Sequence, residues 1–415
     1  MTRVVIIGGG IIGLSAAWEL HLRGASVIVL DARTAGMAAS AANAGYIATS
    51  LPGPVPTPGL VRTSMKGMMD PESPLYIRPR ANRQFLTWLY QFWRACSSSA
   101  YDAGLEASAT LLQGTNAVMQ GWRDAGIAFE MHDFGRLTAY QQQSVMEKDL
   151  AAYDKMAVFG HQRPEAMHGE VLHEFEPALS REITAAYYLK GERTVEPISL
   201  VKGLVASLER VGVDIRNGSP VVDIIHSGNR VVSVRTPTEQ IDADHVLIAA
   251  GAWSGEIGKL VGARLPIQGG KGYALDFDAA QGKPQRSISL RDAKVAVTPF
   301  NGGLRLSGTM ELTGLSDDLN MRRIAAIHSA GKRFLNLVPD EPTHIRSGMR
   351  PMAPDGLPVL GRVGRFSNLT VATGHSMLGV TMAAVSAKHM AELITTGEAP
   401  EVLAPFSADR FRGIL

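Results

Sequence analysis

The chain has 415 residues, 45% hydrophobic and 19% charged, and its 41 basic against 39 acidic side chains leave a formal charge of +2. Those values fit a globular enzyme of two domains or one elaborated domain, and they give no overall charge with which to hold nucleic acid. The single cysteine, Cys96, excludes an intrachain disulfide and any multi-cysteine metal site, as in a reducing compartment.

The first twenty residues carry the strongest pattern. Val4 to Ile7 form a β-branched run of the kind found in buried parallel strands, Gly8, Gly9 and Gly10 interrupt it, and Ile12, Leu14, Ala16, Ala17 and Leu20 then suit a helix packed on a sheet. Gly8, Gly10 and Gly13 complete a G-x-G-x-x-G between strand and helix. In a dinucleotide fold the first glycine makes the tight turn, the second admits a pyrophosphate, and the third lets helix and strand approach. The helix start, with Ile12 in its first turn, offers amide groups to the phosphates. Ser26 to Leu30 read as the second strand, ending at Asp31 with Ala32 and Arg33 behind it, close to the spacing of roughly 20 residues expected for the carboxylate that takes a ribose hydroxyl.

Further along, "TAGMAASAANAGYIATS" is rich in small residues that let backbone approach a flat ligand, and four prolines in "LPGPVPTPGL" break regular structure. "NRQFLTWLYQFWRAC" predicts an amphipathic helix whose Phe85, Trp88, Leu89, Phe92 and Trp93 share one face, read first as core packing and second as a membrane- or quinone-facing surface. Helical text continues to about Ala125. Strand-like "GRLTAY" and "ITAAYYLK" follow, then an amphipathic helix in "ISLVKGLVASLERVG" and short strands up to "HVLIAAGAWS". That last strand ends at Ala249, Ala250 and Gly251, with Trp253 beyond, where small residues again admit a ligand. Near the C-terminus "LTVATGHSMLGVTMAAVSAKHMAELI" predicts a strand, Gly374 and His375, then a helix from Leu378 and Gly379 whose start can stabilise negative charge. One dinucleotide touched by three distant pieces describes FAD better than a nicotinamide. "GGKG" at Gly269 to Gly272 has the wrong spacing for a second fingerprint. No histidine spacing suggests a metal, and neither a signal peptide nor a transmembrane span of about 18 apolar residues is expected.

The motifs "VVIIGGGIIGLSAAWEL", "SAANAGYI", "KGYALDF", "GMRPMAPDGLPVLGR" and "TGHSMLGVTMA" resemble the FAD-dependent D-amino-acid dehydrogenases, within the superfamily of glycine oxidase, sarcosine oxidase and D-amino-acid oxidase. The resemblance spans nearly the whole chain. It implies an α/β fold: a doubly wound, Rossmann-like FAD-binding domain (1–60, 190–264 and 340–396) interleaved with a sheet-based α+β substrate domain (61–189 and 265–339), then a tail at 397–415. It implies that Ser40, Asn43, Ala44, Gly45 and Tyr46 line the flavin, that Val221 meets the adenine end, and that Gly374, Leu378, Gly379, Val380 and Thr381 surround the isoalloxazine pyrimidine ring.

By the same resemblance Arg350 holds the substrate carboxylate, a task suited to the guanidinium fork. An internal salt bridge to Asp355 is the alternative, and Arg346 is then the fallback carboxylate ligand. Tyr46, Tyr273 and Met377 are further substrate contacts. His375 stands as a base or as a flavin-packing group, and Lys271 as a flavin neighbour through water or a surface lysine. Glycine oxidase-like enzymes carry a carboxylate-gripping tyrosine where this chain has Ala296, as the dehydrogenases do. Sarcosine oxidases attach flavin through a cysteine, whereas Cys96 lies in the aromatic helix, so the FAD is expected to be noncovalent. The implied reaction is oxidative deamination of D-amino acids, with electrons passed to a quinone or other acceptor, by a cytoplasmic protein that can associate peripherally with the inner membrane. The alternatives are a secondary-amine or imino-acid enzyme acting on sarcosine, proline or hydroxyproline, and a flavin-binding subunit that needs partner chains or serves nucleic-acid modification.

Overall fold

The computed structural model describes residues 1–60, 75–78 and 82–411. Two large sheets organise it. The first has six strands in the order Asp214–Arg216, Ser26–Leu30, Arg3–Ile7, His245–Ile248, Leu369–Thr373, Val359–Arg362. All pair in parallel except the last, which is antiparallel to Leu369–Thr373. Parallel neighbours need long crossovers, so this sheet draws its strands from distant stretches of chain. Its centre is covered on both faces, which explains the unbroken apolar run at Val4, Val5 and Ile6, each fully buried. Helices Ile11–Leu22, Pro197–Arg210 and Gly379–Thr396 fill one face, and the small sheet of Asp223–Ser227, Arg230–Arg235 and Gln240–Asp242 covers the other.

The second sheet is nine-stranded and runs His344–Met352, Gln268–Asp278, Gly303–Leu312, Val295–Phe300, Ser287–Leu290, Arg136–Tyr140, Ala185–Leu189, Glu165–His168, with Leu75–Ile77 pairing beside Gly303–Leu312. Strand alternation splits its residues. Leu275, Phe277, Val297, Leu304 and Leu306 pack with Ile324, Ile327 and Phe334 of helix Met321–Phe334, and the residues between them face the first sheet.

The structure redraws the expected domain boundaries in three places. His344–Met352, expected in the cofactor domain, is a strand of the second sheet because its whole length pairs with Gln268–Asp278. Helices Ser98–Leu112 and Thr115–Asp124, expected in the substrate domain, bury Leu111, Leu112, Met119 and Trp122 in the core of the first sheet. The tail packs there too, through Leu403 and Phe406. In the aromatic helix, Arg83–Ala95, the Asn82 side chain caps the N-terminus and Phe85, Trp88 and Phe92 are buried, but Trp93 is 57% exposed beside Leu86 at 55% and Tyr90 at 53%. The apolar stripe is therefore narrower than its periodicity predicts. No helix among the described residues is long and apolar enough to cross a membrane.

Candidate active site

A single cavity of about 1090 Å³ runs from Asp31 and Trp253 at the tips of the first sheet to the facing side of the second. The glycines shape its entrance. Gly8 has φ of +110° and a Cβ there would stand 2.5 Å from the Ala249 carbonyl oxygen, so the turn and the neighbouring strand close over each other only without a side chain. A Cβ on Gly13 would lie 1.9 Å from the Gly8 oxygen, which makes this residue a packing contact behind the turn and not part of the cavity wall. Gly10 does line the cavity, with only Ser40 Oγ near its missing Cβ, at 3.5 Å. Ser40 Oγ accepts the Ile11 amide at 2.9 Å. Asp31 accepts the Gly9 and Arg33 amides, each at 2.7 Å, so it braces the glycine turn as well as facing the cavity. Arg33 lies 4.8 Å over the Trp253 ring and pairs with Asp317 at 2.9 Å. Ile12, Ala32, Val221, Ala250 and Gly251 complete this end.

The middle of the cavity is walled by Ser40, Asn43, Ala44 and Tyr46 on one side and by Met377, Leu378, Gly379, Val380 and Thr381 at the start of helix Gly379–Thr396 on the other. Gly45 turns behind this wall at φ of +85°, where a Cβ would meet Val195 O at 2.2 Å. Asn43 Oδ1 accepts its amide at 2.8 Å. The loop is held from beneath by a group that sequence reasoning missed. Arg305 is 2% exposed, gives its guanidinium to both oxygens of Asp276, and donates to the carbonyls of Ala41 at 3.0 Å and Asn43 at 2.7 Å. Arg305 alternates with Leu304 and Leu306 in a strand whose other polar positions are Ser307, Thr309 and Glu311, and that alternation does not say what the guanidinium holds. Asp276 also takes Arg346 at 2.8 Å, which occupies the fallback carboxylate ligand away from the cavity.

Tyr46 crosses between the sheets. Its hydroxyl donates to the Ile288 carbonyl at 2.6 Å and accepts the Val297 amide at 3.1 Å, and burial raises its pKa, so the oxygen serves the sheet and leaves the ring as the cavity surface.

Arg350 lies across the second sheet. Its guanidinium passes over Gly272 on the neighbouring strand, where a Cβ would come within 2.2 Å of Nη1, and donates to the Thr309 carbonyl at 2.8 Å. Asp355, the expected salt-bridge partner, is taken instead by Arg410 of the tail at 2.7 and 3.2 Å. No carboxylate among the described residues pairs with Arg350, and burial without a counter-charge pushes its pKa down to about 10. The loop after Thr373 is laced to the same strand: Met352 bridges His375, and Ser376 donates its amide to Pro351 at 3.0 Å. This places Arg350 beside the 375–381 wall. Gly374, at φ of +80°, sits behind that wall and does not line it.

Two expected groups fall on the wrong side of the sheet. Gly272 faces the cavity, so its neighbours Lys271 and Tyr273 point the other way: Lys271 donates to the Asp318 carbonyl at 2.7 Å, and the Tyr273 hydroxyl accepts the Asn320 amide at 3.2 Å. His375 lines the cavity, but burial pushes its pKa down to about 3, and Nε2 meets Ser386 Oγ at 3.1 Å. It is neutral at physiological pH and is a poor proton acceptor.

Residues 3–393 match the FAD dependent oxidoreductase family. The chain belongs to that family. FAD is the cofactor of this oxidoreductase, and the side-chain-free turn, the Asp31 carboxylate and the length of the cavity fit it. The oxidoreductase is 30% identical over 408 residues to a D-amino acid dehydrogenase of Neisseria meningitidis serogroup A / serotype 4A, across 95% of this chain and 96% of that protein. Among solved structures it resembles a glycine oxidase from Geobacillus kaustophilus, at TM-score 0.77 and 21% identity over 100% of both chains. It also resembles an L-proline dehydrogenase from P. horikoshii, at TM-score 0.75 and 18% identity over 99% of this chain and 97% of that one. These last two likenesses establish the fold.

Proposed function

We propose that the chain is a D-amino-acid dehydrogenase that converts its substrate to a 2-oxo acid and ammonia and passes the electrons to a quinone-type acceptor. The observation that carries this reading is Arg350, a buried cation without a carboxylate partner among the described residues, set in the cavity wall beside the 375–381 loop. A fork of N–H donors held over Gly272 matches a substrate carboxylate, which supplies the missing counter-charge. The relative from N. meningitidis supports the choice of D-amino acids.

Bound FAD supplies the acceptor for the hydride that leaves the substrate Cα. The chain supplies position and dryness. Arg350 fixes the carboxylate, and its own bond to the Thr309 carbonyl fixes the guanidinium. With the carboxylate held, the amine and Cα of the substrate face the 375–381 wall. Exclusion of water disfavours the ammonium form, so the amine loses its proton without a dedicated base, consistent with the low proton affinity of His375. Hydrolysis of the imino acid then gives the 2-oxo acid and ammonia. Cys96 lies outside the cavity wall, its thiol directed to the Phe92 carbonyl at 3.3 Å, which supports noncovalent FAD. The exposed Leu86, Tyr90 and Trp93 face supports peripheral contact with the membrane that holds a quinone.

Anaerobic bleaching of the flavin absorbance with a panel of D-amino, L-amino and N-methyl amino acids tests the reading. Bleaching is expected with D-amino acids. Bleaching confined to N-methyl or L-amino acids overturns it.

A further inference from the structure

The cavity continues past Arg350 over the second sheet, and its floor there is a single cross-strand row. Register pairs Ser307 with Ala296, Ala296 with Ser289, Ser289 with Thr138, and Thr138 with Tyr187, and all five line the cavity. Ser307 is 6% exposed and Thr138 is 3% exposed, yet neither hydroxyl has a hydrogen-bond partner among the described residues. Thr309 Oγ1, on the same strand as Ser307 and also in the cavity wall, is a third such hydroxyl, whereas Thr298 donates to the Ala44 carbonyl at 2.7 Å and Ser287 meets Thr194 at 2.7 Å. Buried polar groups are rarely left unbonded, and both Ser307 and Thr138 line the space where a substrate side chain goes.

We infer that this hydroxyl row is a substrate side-chain subsite, with Ser307 as its main specificity residue, and that it selects substrates bearing an uncharged hydroxyl on Cβ or Cγ. The inference rests on the carboxylate being held by Arg350. Thr309, whose carbonyl anchors that guanidinium, and Ser307 are two positions apart on one strand, a separation of about 7 Å. A Cβ or Cγ substituent spans that gap, whereas an unbranched methyl side chain does not. Ala296 next to Ser307 leaves room for the substituent. Two of the cations over this part of the floor are already matched, Arg136 by Glu192 and Arg291 by Asp149, which leaves the hydroxyls as the uncharged polar groups of the row. A hydroxyl both donates and accepts, as serine and threonine partners require.

The test compares kcat/KM for near-isosteric pairs in the FAD-loaded protein: D-threonine and D-allo-threonine against D-valine, and the two epimers of 4-hydroxy-D-proline against D-proline. The expected result is a preference of about tenfold or more for the hydroxylated member of at least one pair. Ser307→Ala should then shrink that ratio toward one, and Thr138→Val should shrink it less. FAD content is measured in parallel to confirm a folded site. Equal or greater efficiency on every unhydroxylated partner overturns the inference while leaving the amino-acid reading intact, as does an unchanged ratio in Ser307→Ala. Turnover of none of these compounds, with FAD bound, overturns both.

Discussion

The two ends of the cavity are built by different means. At the dinucleotide end, Gly8, Gly10, Ala250 and Gly251 act chiefly through backbone and through what they lack, close to the strand tips of the first sheet. At the substrate end, Arg350, Ser307, Ala296 and Thr138 act through side chains, one from each of several strands far apart in the chain. At Gly8 the first kind of site tolerates no added atom. The second tolerates substitution but changes what it recognises. Variants at the two ends should therefore fail differently.

The largest effect is expected from Gly13→Ala. Its Cβ would sit 1.9 Å from a backbone oxygen that cannot rotate away, so helix and strand must separate. Purified protein should be colourless or unfolded, and a yellow preparation with normal FAD occupancy would show that the turn has slack the geometry denies. Arg350→Ala should instead stay yellow. It should lose about 3 kcal/mol of transition-state stabilisation on a D-amino acid, and far less on the matching amine without a carboxylate. An equal loss on acid and amine would place carboxylate recognition elsewhere. Arg350→Lys keeps charge but not the fork, so KM should rise more than kcat falls.

Asp31→Ala belongs to the dinucleotide end but acts through a side chain, and so tests where the division lies. Losing a charged acceptor that also braces the Gly9 and Arg33 amides should weaken FAD by about 2 kcal/mol, read by equilibrium titration of the apoprotein. Gly272→Ala is the reverse case, a missing side chain at the substrate end. Its Cβ would displace the Arg350 guanidinium, so KM for the acid should rise about tenfold at unchanged FAD occupancy. A KM that does not move would show that the guanidinium has another resting place.

This contrast also governs what could be read from the sequence. The dinucleotide end was legible because its glycines and Asp31 lie in one contiguous βαβ text whose spacing has a mechanical cause. Arg350 is visible only by resemblance, and nothing in "GGKG" marks Gly272 as clearance for an arginine that lies nearly eighty residues away in the chain. Lys271 and Tyr273 were misplaced by strand parity: in a sheet buried on both faces, hydrophobicity does not say which face a residue takes. Arg305, and the hydroxyls of Ser307 and Thr138, acquire meaning only when strands from different parts of the chain are laid side by side. The same holds for the boundary at His344–Met352, where a strand adjoining cofactor-domain sequence pairs with the other sheet.

The smallest effect concerns two buried histidines, one in the cavity wall and one away from it. His375 in the cavity wall and His245 at the start of a central parallel strand are both driven below the ordinary 6.5 by burial, to about 3 and about 4. His245 is also opposed by Arg362 and Arg230, and its Nε2 meets Thr370 Oγ1 at 3.1 Å. Both are neutral when folded at pH 7. The unfolded chain binds their protons more readily, so their contribution to stability is complete above about pH 6.5 and is lost as the pH falls toward the folded values. Each histidine should then add about 1 kcal/mol per pH unit to the loss of stability between pH 6 and pH 5. Urea unfolding of the FAD-loaded protein at pH 7, 6 and 5 should show the midpoint falling, and His245→Asn should reduce that slope by about half of the histidine contribution. His245 lies away from the cavity, so the variant should keep the wild-type pH profile of kcat/KM. A slope unchanged in His245→Asn would mean that the acid sensitivity belongs to carboxylates such as Asp276, whose pKa its two arginines hold down.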